Sequence, residues 1–364
     1  MPAAPPLVTR IPMTAESEIL FEQRGIAGIV ILNRPKALNA VTHAMVRALA
    51  AKLVEWADDE AVTRVIITAA GERAFSAGGD IRALHDLGRS GRQDEALQFW
   101  RDEYALNALI KHYPKPYIAL IDGIVMGGGV GLSIHGSHRI AGDRFQFAMP
   151  EVGIGFFPDV GASWFLPRMP GETGTYCALT GERVKKGDAL VCGLVTHYVS
   201  SVRFPELLTA LTDLTPVDNV LLSFSEKLGI GSMTVHRAAI DRLFEANRVE
   251  DILAALDREA ISRSGESGWA SATSAIVRGK SPTSVKIALA QIRRAEHWTF
   301  TDCMKAEFRI VSRIVASHDF YEGVRSVIID KDNAPRWYPA SIAEVTDADV
   351  DRYFAPIERE LELQ

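Results

Sequence analysis

At 364 residues the chain has room for one large domain or two ordinary ones, and 47% hydrophobic with 24% charged residues is an ordinary globular composition. A net charge of −6 argues against general nucleic-acid binding, while leaving room for a local basic pocket that takes a phosphorylated ligand. No apolar run is long enough to span a bilayer, so no membrane partner is expected.

The opening stretch, MPAAPPLVTRIP, lacks the apolar core and cleavage site of a secretion signal and the amphipathic pattern of a transit peptide. Residues 1–14 are expected to be a flexible extension, and Met13 opens a more convincing start, MTAESEILFEQRG. Two short strands follow over 17–21 and 26–32, turning at Arg24-Gly25. Residues 42–58 are amphipathic, with Met45, Leu49, Leu53 and Trp56 near helical spacing and Thr42 placed as a cap. The β-branched run VTRVIITA at 62–69 predicts a buried strand; 117–121 repeats that signature and 138–141 does so more weakly. Strand and helix alternating in this order imply an α/β fold with parallel pairing through crossovers. Residues 84–112 form a long, charged, helical insert. Beyond about residue 205 the strand signals fade, and helices are predicted over 205–214, 217–228, 235–245, 249–262, 268–278, 281–295, 300–316 and 347–361. Cys177, Cys192 and Cys303, widely spaced and odd in number, read as reduced thiols of a cytoplasmic protein.

Three turns feed a candidate site. The first, NRPKALNA at 33–40, carries Arg34 and Lys36, which suit a phosphate-bearing ligand; taken alone it is equally a solvated basic turn. The second, RAFSAGGDI at 73–81, leads from strand into helix, so that Gly79 presents a free N–H and Asp80 caps the helix. Taken alone it is an ordinary strand-to-helix turn. The third is the triple glycine Gly127-Gly128-Gly129 in MGGGVGLSIHG, where the Gly128 N–H would face the same crevice as that of Gly79. Two backbone donors converging on one oxygen are what an oxyanion hole requires. A dinucleotide fingerprint fails, because Leu132 stands where its last glycine is needed. Glu151 and Asp159 follow in FAMPEVGIGFFPDVG, almost free of neighbouring charge, where desolvation raises a carboxyl's pKa and suits it to acid–base work. His135 and His138 lack a third metal ligand, and no serine sits in a GxSxG elbow, so neither a metal site nor a serine hydrolase is expected. Tyr104 and Asn107 lie one turn apart on the insert, as a lid over the pocket or as plain helix surface.

The segments NRPKALNA, AFSAGGDI and DGIVMGGGVGLSIHG resemble, in order, the three site-forming turns of the crotonase (enoyl-CoA hydratase/isomerase) superfamily, over about residues 15–205. The resemblance implies a crotonase-like spiral of ββα turns followed by a mostly helical region at 206–364. It also implies a coenzyme A thioester held bent in the crevice, with its carbonyl in an oxyanion hole made by Gly79 and Gly128. Contacts to the acyl-CoA are implied for Ala37, Leu38, Ala77, Ile81 and Gly127, beside Arg34 and Lys36. Coenzyme A would be part of the substrate, with no separate cofactor. The family's C-terminal helices also allow a homo-oligomer.

Hydratases of the superfamily carry one Glu just after the triple glycine and a second at the Glu151 position; here the first is Gly131. The stretches RDEYALN, SPTSVKIAL, MKAEFRI and HDFYEGVRSVIIDKDNAPRW extend the resemblance to about residue 340 and resemble the superfamily's thioester-hydrolysing branch. That likeness implies hydrolysis of a short, branched 3-hydroxyacyl-CoA, of the kind met in valine breakdown. Glu151 would act as nucleophile or general base. Asp159 would bind the substrate hydroxyl or share a proton, and Lys331 would meet a CoA phosphate. The rivals are an enoyl-CoA hydratase or isomerase, and a non-catalytic acyl-CoA-binding protein on the same fold.

Overall fold

Strands β1 (Ile19–Arg24) and β2 (Ala27–Leu32) form an antiparallel hairpin in the computed structural model, which describes residues 17–363. The expected extension, residues 1–14, lies outside the described residues. Helix α1 (His43–Asp58) starts where the sequence predicts it, with the Thr42 hydroxyl accepting the Met45 N–H at 3.3 Å. It leads to β3 (Arg64–Ala69), which pairs in parallel with β2, and β5 (Tyr117–Ile121) and β7 (His138–Ala141) extend the sheet in the same sense. A final pair of residues, β10 (His197–Tyr198), closes the six-stranded order β1-β2-β3-β5-β7-β10.

A second sheet escapes the sequence pattern because its strands have only two or three residues. β4 (Ala74–Ser76), β6 (Ile124–Met126) and β8 (Gln146–Ala148) pair in parallel, and β9 (Val184–Lys185) adds antiparallel to β8. Each follows closely on a strand of the larger sheet: β3 then β4, β5 then β6, β7 then β8. That repetition is the ββα spiral, and it stacks three successive turns at one edge of the small sheet.

The two faces of the large sheet bury different partners. Val65, Ile67, Ala119 and Ile121 belong to the main core, while the alternate residues Ile66, Ile118 and Leu120 pack under Leu207, Leu211, Val220 and Leu221. These cover residues come from helices Phe204–Ala210 and Val217–Phe224 and the residue just after the first. The main core is continuous from Ile19 to Leu361, so the later helices share it with the spiral.

Several helices are shorter than predicted. The 84–112 insert is two helices, α2 (Ile81–Arg89) and α3 (Gln93–Lys111), broken where Gly91 takes φ +78°. The last helix ends at Phe354 because Ala355 precedes Pro356 and is extended. A helix that the sequence does not predict, His318–Val324, runs on through a π-helical turn at Arg325–Ile329.

Because the core is shared, Phe308→Ala, at a fully buried position in the Phe300–Ile314 helix, is expected to cost about 3–5 kcal/mol. A fragment ending at residue 205 is expected to lack a cooperative thermal transition. A soluble fragment that melts cooperatively would overturn this.

Candidate active site

The site grows from the C-terminal ends of β4, β6 and β8. After β4 the chain turns at Gly78-Gly79, and neighbouring backbone fixes that turn. Ala77 N–H donates to Leu38 O at 3.0 Å, Val41 N–H to Gly78 O at 2.8 Å and Asp80 N–H to Val41 O at 2.9 Å. Buried Asn39 braces it from beneath, donating to Ala70 O and Ala74 O at 2.9 Å each. Asp80 then caps α2, as expected. After β6, Gly127 takes φ +46°, and Gly128 opens the short helix α4 (Gly128–Gly131). Among the described residues neither the Gly79 N–H nor the Gly128 N–H has a partner. The two lie close together: a Cβ on Gly128 would stand 3.1 Å from Gly79 N and 2.5 Å from Glu103 Oε1. Two unpartnered backbone donors thus lie side by side on the cavity wall.

After β8, Glu151 begins a 3-10 turn and is 6% exposed, with Oε2 buried and unpartnered. Its Oε1 would sit 3.2 Å from a Cβ on Gly127. Asp159 is 4% exposed and accepts the Tyr104 hydroxyl at 2.8 Å. Glu103, next to Tyr104 on α3, is 2% exposed with Oε1 unpartnered. Burial, reinforced by the Asp159 charge, pushes Glu103 and Glu151 well above the usual carboxylate range. Burial pushes Asp159 to about 7, with the Tyr104 hydrogen bond pulling it down.

The loop carrying Asp159 is held from several sides. Glu307, from the Phe300–Ile314 helix, accepts the Gly161 and Ser163 N–H groups at 2.8 Å each. Gln291, from the Pro282–Arg294 helix, donates to Pro158 O at 2.6 Å and to Ser163 Oγ at 2.8 Å. His135 donates through Nε2 to Val160 O at 2.7 Å, and burial holds its pKa down to about 3, so it is a neutral loop tether. Val160 needs these tethers, since it is β-branched at φ +53°.

These groups line a cavity of about 450 Å³. Of the residues singled out from sequence, Gly79, Gly128, Glu151, Asp159, Ala77, Ile81 and Gly127 line it. Arg34, Lys36, Ala37, Leu38 and Lys331 do not. Arg34 is held by Glu18 at 2.9 Å, Asp80 at 3.2 Å and Ala40 O at 2.7 Å, bracing the first turn to the α2 cap. Lys36, Ala37 and Lys331 are exposed, and Leu38, at φ +52°, ends the turn against Ala77.

Sequence reasoning missed Glu103 and Lys280, and left Tyr104 between a lid and plain helix surface. All of α3 residues 96, 99, 100, 103, 104 and 107 are buried, at helical spacing, so Glu103, Tyr104 and Asn107 sit on its apolar stripe and not on a surface or a lid. Polar residues on that stripe were the available signal. Lys280 lines the cavity, where burial lowers its ammonium pKa. Gly131 is packed tight, since a Cβ there would meet Asn107 Nδ2 at 2.7 Å and Val160 Cβ at 2.8 Å.

A ββα spiral whose small sheet gathers two unpartnered N–H donors and buried acids at one cavity is a crotonase-class fold. The chain belongs to the enoyl-CoA hydratase/isomerase family, whose model matches residues 27–354. It is 43% identical over 360 residues to a Danio rerio protein named 3-hydroxyisobutyryl-CoA hydrolase, mitochondrial, covering 96% of this chain and 92% of that protein. The Rattus norvegicus protein of the same name is 43% identical over 351 residues, covering 94% and 89%. Among solved structures, a carnitinyl-CoA dehydratase from Mycobacterium thermoresistibile superposes with TM-score 0.90 at 39% identity, covering 96% of this chain and 99% of that one. An enoyl-CoA hydratase from Rhodobacter sphaeroides 2.4.1 gives TM-score 0.88 at 36% identity, covering 95% and 100%. The relatives' mitochondrial names correct the cytoplasmic expectation. Cys177, Cys192 and Cys303 are free and buried.

Glu307→Gln is expected to destabilise the protein by about 2 kcal/mol in chemical denaturation, because an amide NH₂ would face one of the two N–H donors. An unchanged midpoint would remove Glu307 from the loop's support.

Proposed function

We propose that the protein hydrolyses the thioester of 3-hydroxyisobutyryl-CoA to the hydroxy acid and coenzyme A. The observation that carries this reading is the pair of free donors, Gly79 and Gly128, facing a cavity in which Glu151 and Asp159 are buried without an ion-paired cation among the described residues. The names of relatives matched over nine-tenths of the chain support the same substrate.

In this reading the thioester oxygen accepts both N–H groups, which stabilise its charge as the carbonyl carbon becomes tetrahedral. Glu151 supplies the electron pair in one of two ways. Its carboxylate attacks the carbonyl carbon, the C–S bond breaks, and water then hydrolyses the acyl-Glu151 anhydride; or it takes a proton from a water that attacks directly. Asp159 shares the proton with Glu151 and the departing sulfur, or holds the substrate's 3-hydroxyl. A thiolate leaves readily, so strong protonation of sulfur is not required. Phe99, Trp100 and Phe156 give the small branched acyl group its apolar surroundings. Ala77, Ile81 and Gly127, with Ala37 and Leu38 on the adjoining turn, flank the bent thioester arm. Lys36 and Lys331 stand exposed for the phosphates, while Arg34 braces the turn. Coenzyme A enters as part of the substrate, with no separate cofactor.

Hydration or isomerisation of an enoyl-CoA is the second reading, favoured by the titles of the two solved structures. It needs an acid and a base across the double bond, and the packing around Gly131 leaves no space for an acid there.

A panel of acyl-CoA thioesters, followed for thiol release and enoyl absorbance together, separates the readings. Thiol release with the short branched 3-hydroxyacyl-CoA is expected; absorbance change without thiol would overturn hydrolysis, and binding without turnover would make the protein non-catalytic. Glu151→Gln is expected to lower kcat/KM by about a hundredfold or more, and near-normal hydrolysis would remove Glu151 from the chemistry. Gly128→Ala should lose activity on a similar scale, since its Cβ would push into Glu103 Oε1 and crowd the Gly79 donor.

A further inference from the structure

Three carboxyls share the cavity, on unequal terms. Glu103 Oε1 and Glu151 Oε2 are buried with no hydrogen-bond partner. Asp159 alone of the three accepts a side-chain hydrogen bond among the described residues, from the Tyr104 hydroxyl at 2.8 Å. Three carboxylates in one apolar space cannot all stay ionised, because each charge disfavours the others. A donor fixed on one of them decides where the charge rests.

Tyr104 is such a fixed donor. It is fully buried on the inner stripe of α3, with its ring edge-on to Phe308 at 6.4 Å between centroids. Its hydroxyl therefore has a set direction, onto the acid that lies in the loop clamped by Glu307 and Gln291.

We propose that Tyr104 is a positioning residue of the hydrolysis: its hydroxyl makes Asp159 the carboxyl that carries the cavity's negative charge, with Glu103 and Glu151 protonated beside it in the free enzyme. This rests on the hydrolase reading and adds the resting distribution of the protons. The titratable groups facing Asp159 are Tyr104 and Glu103 from α3, Glu151 from the turn after β8, and Glu307 from the Phe300–Ile314 helix. Lys280 is the cation of the same cavity. Burial raises all three carboxyls, and the Tyr104 hydrogen bond acts against that rise at Asp159. Burial and the surrounding acids push the Tyr104 phenol far up, so it remains a donor.

The arrangement gives a balanced first step. Ionised Asp159 takes the Glu151 proton as substrate binds, and the Glu151 carboxylate forms a bond to the carbonyl carbon. The C–S bond breaks, and the thiolate takes its proton from Asp159, which returns to the charged form.

The test is the pH profile of kcat/KM for thiol release, which reports groups of the free enzyme. The acidic limb belongs to Asp159. Removing a donor to the ionised form raises a carboxyl's pKa, so in Tyr104→Phe this limb should move to higher pH by about one unit. Activity well below the limb should then fall about tenfold, and recover to near wild type well above it. Replacement of Tyr104 by 3-fluorotyrosine, a stronger donor of nearly equal volume, should move the limb the other way, and serves if Tyr104→Phe does not fold. A limb that stays in place in the folded variant, whatever the overall rate, would overturn the proposal. Wild-type protein that releases no thiol from any acyl-CoA would instead overturn the hydrolase reading.

Discussion

The parallel pairing of β4, β6 and β8 is the constraint on which the site depends. Strands of three residues have too few hydrogen bonds to hold together by themselves. Each is attached to a strand of the large sheet, so the register of β3, β5 and β7 sets that of the small sheet. Once Ser76 lies beside Val125, and Met126 beside Ala148, the residues after them must leave the same edge together. Gly79, Gly128 and Glu151 are far apart in sequence and adjacent in space for that reason. Of the two donor positions, 128 requires glycine, because a Cβ there would stand 2.5 Å from Glu103 Oε1.

The same placement creates an electrostatic problem that the C-terminal helices answer. Glu103, Glu151 and Asp159 are buried near one another, which disfavours their charged forms. A loop bearing such a group, with Val160 at positive φ, would relax outward if it were free to move. Glu307 and Gln291 hold its backbone, and His135 holds Val160 O from the spiral side. The helical half of the chain is thus part of the cavity's scaffold as well as part of the core.

How much the sequence disclosed depends on the range of each interaction. β1, β2, β3, β5 and β7 are apolar runs whose pattern is local, and the three glycine-bearing or basic turns carry their own short signatures. The small sheet has no such signature, since two or three residues define no period. Arg34 was legible as a charge but not as a brace, because its partners Glu18 and Asp80 come from other elements. Glu103 and Tyr104 belong to a recognisable helix, yet their role depends on which face turns inward, and a charge in the sequence points outward by default. Lys280 sits immediately before a recognised motif and becomes a cavity residue only through the fold.

Gly131 ties the chemistry to the packing. The position lacks the acid that hydratases of the superfamily carry, and the structure shows what fills the space: Asn107 Nδ2 and Val160 Cβ stand 2.7 and 2.8 Å from where its Cβ would be. Val160 adjoins Asp159 and is held at φ +53° by the tethers that hold that loop. The absence of an acid at 131 and the presence of one at 159 are therefore two aspects of a single arrangement. The loop that brings Asp159 under the Tyr104 hydroxyl occupies the volume that a side chain at 131 would need. Restoring the hydratase acid by one substitution would displace this loop, so the two chemistries are separated by a packing change and not by a single residue.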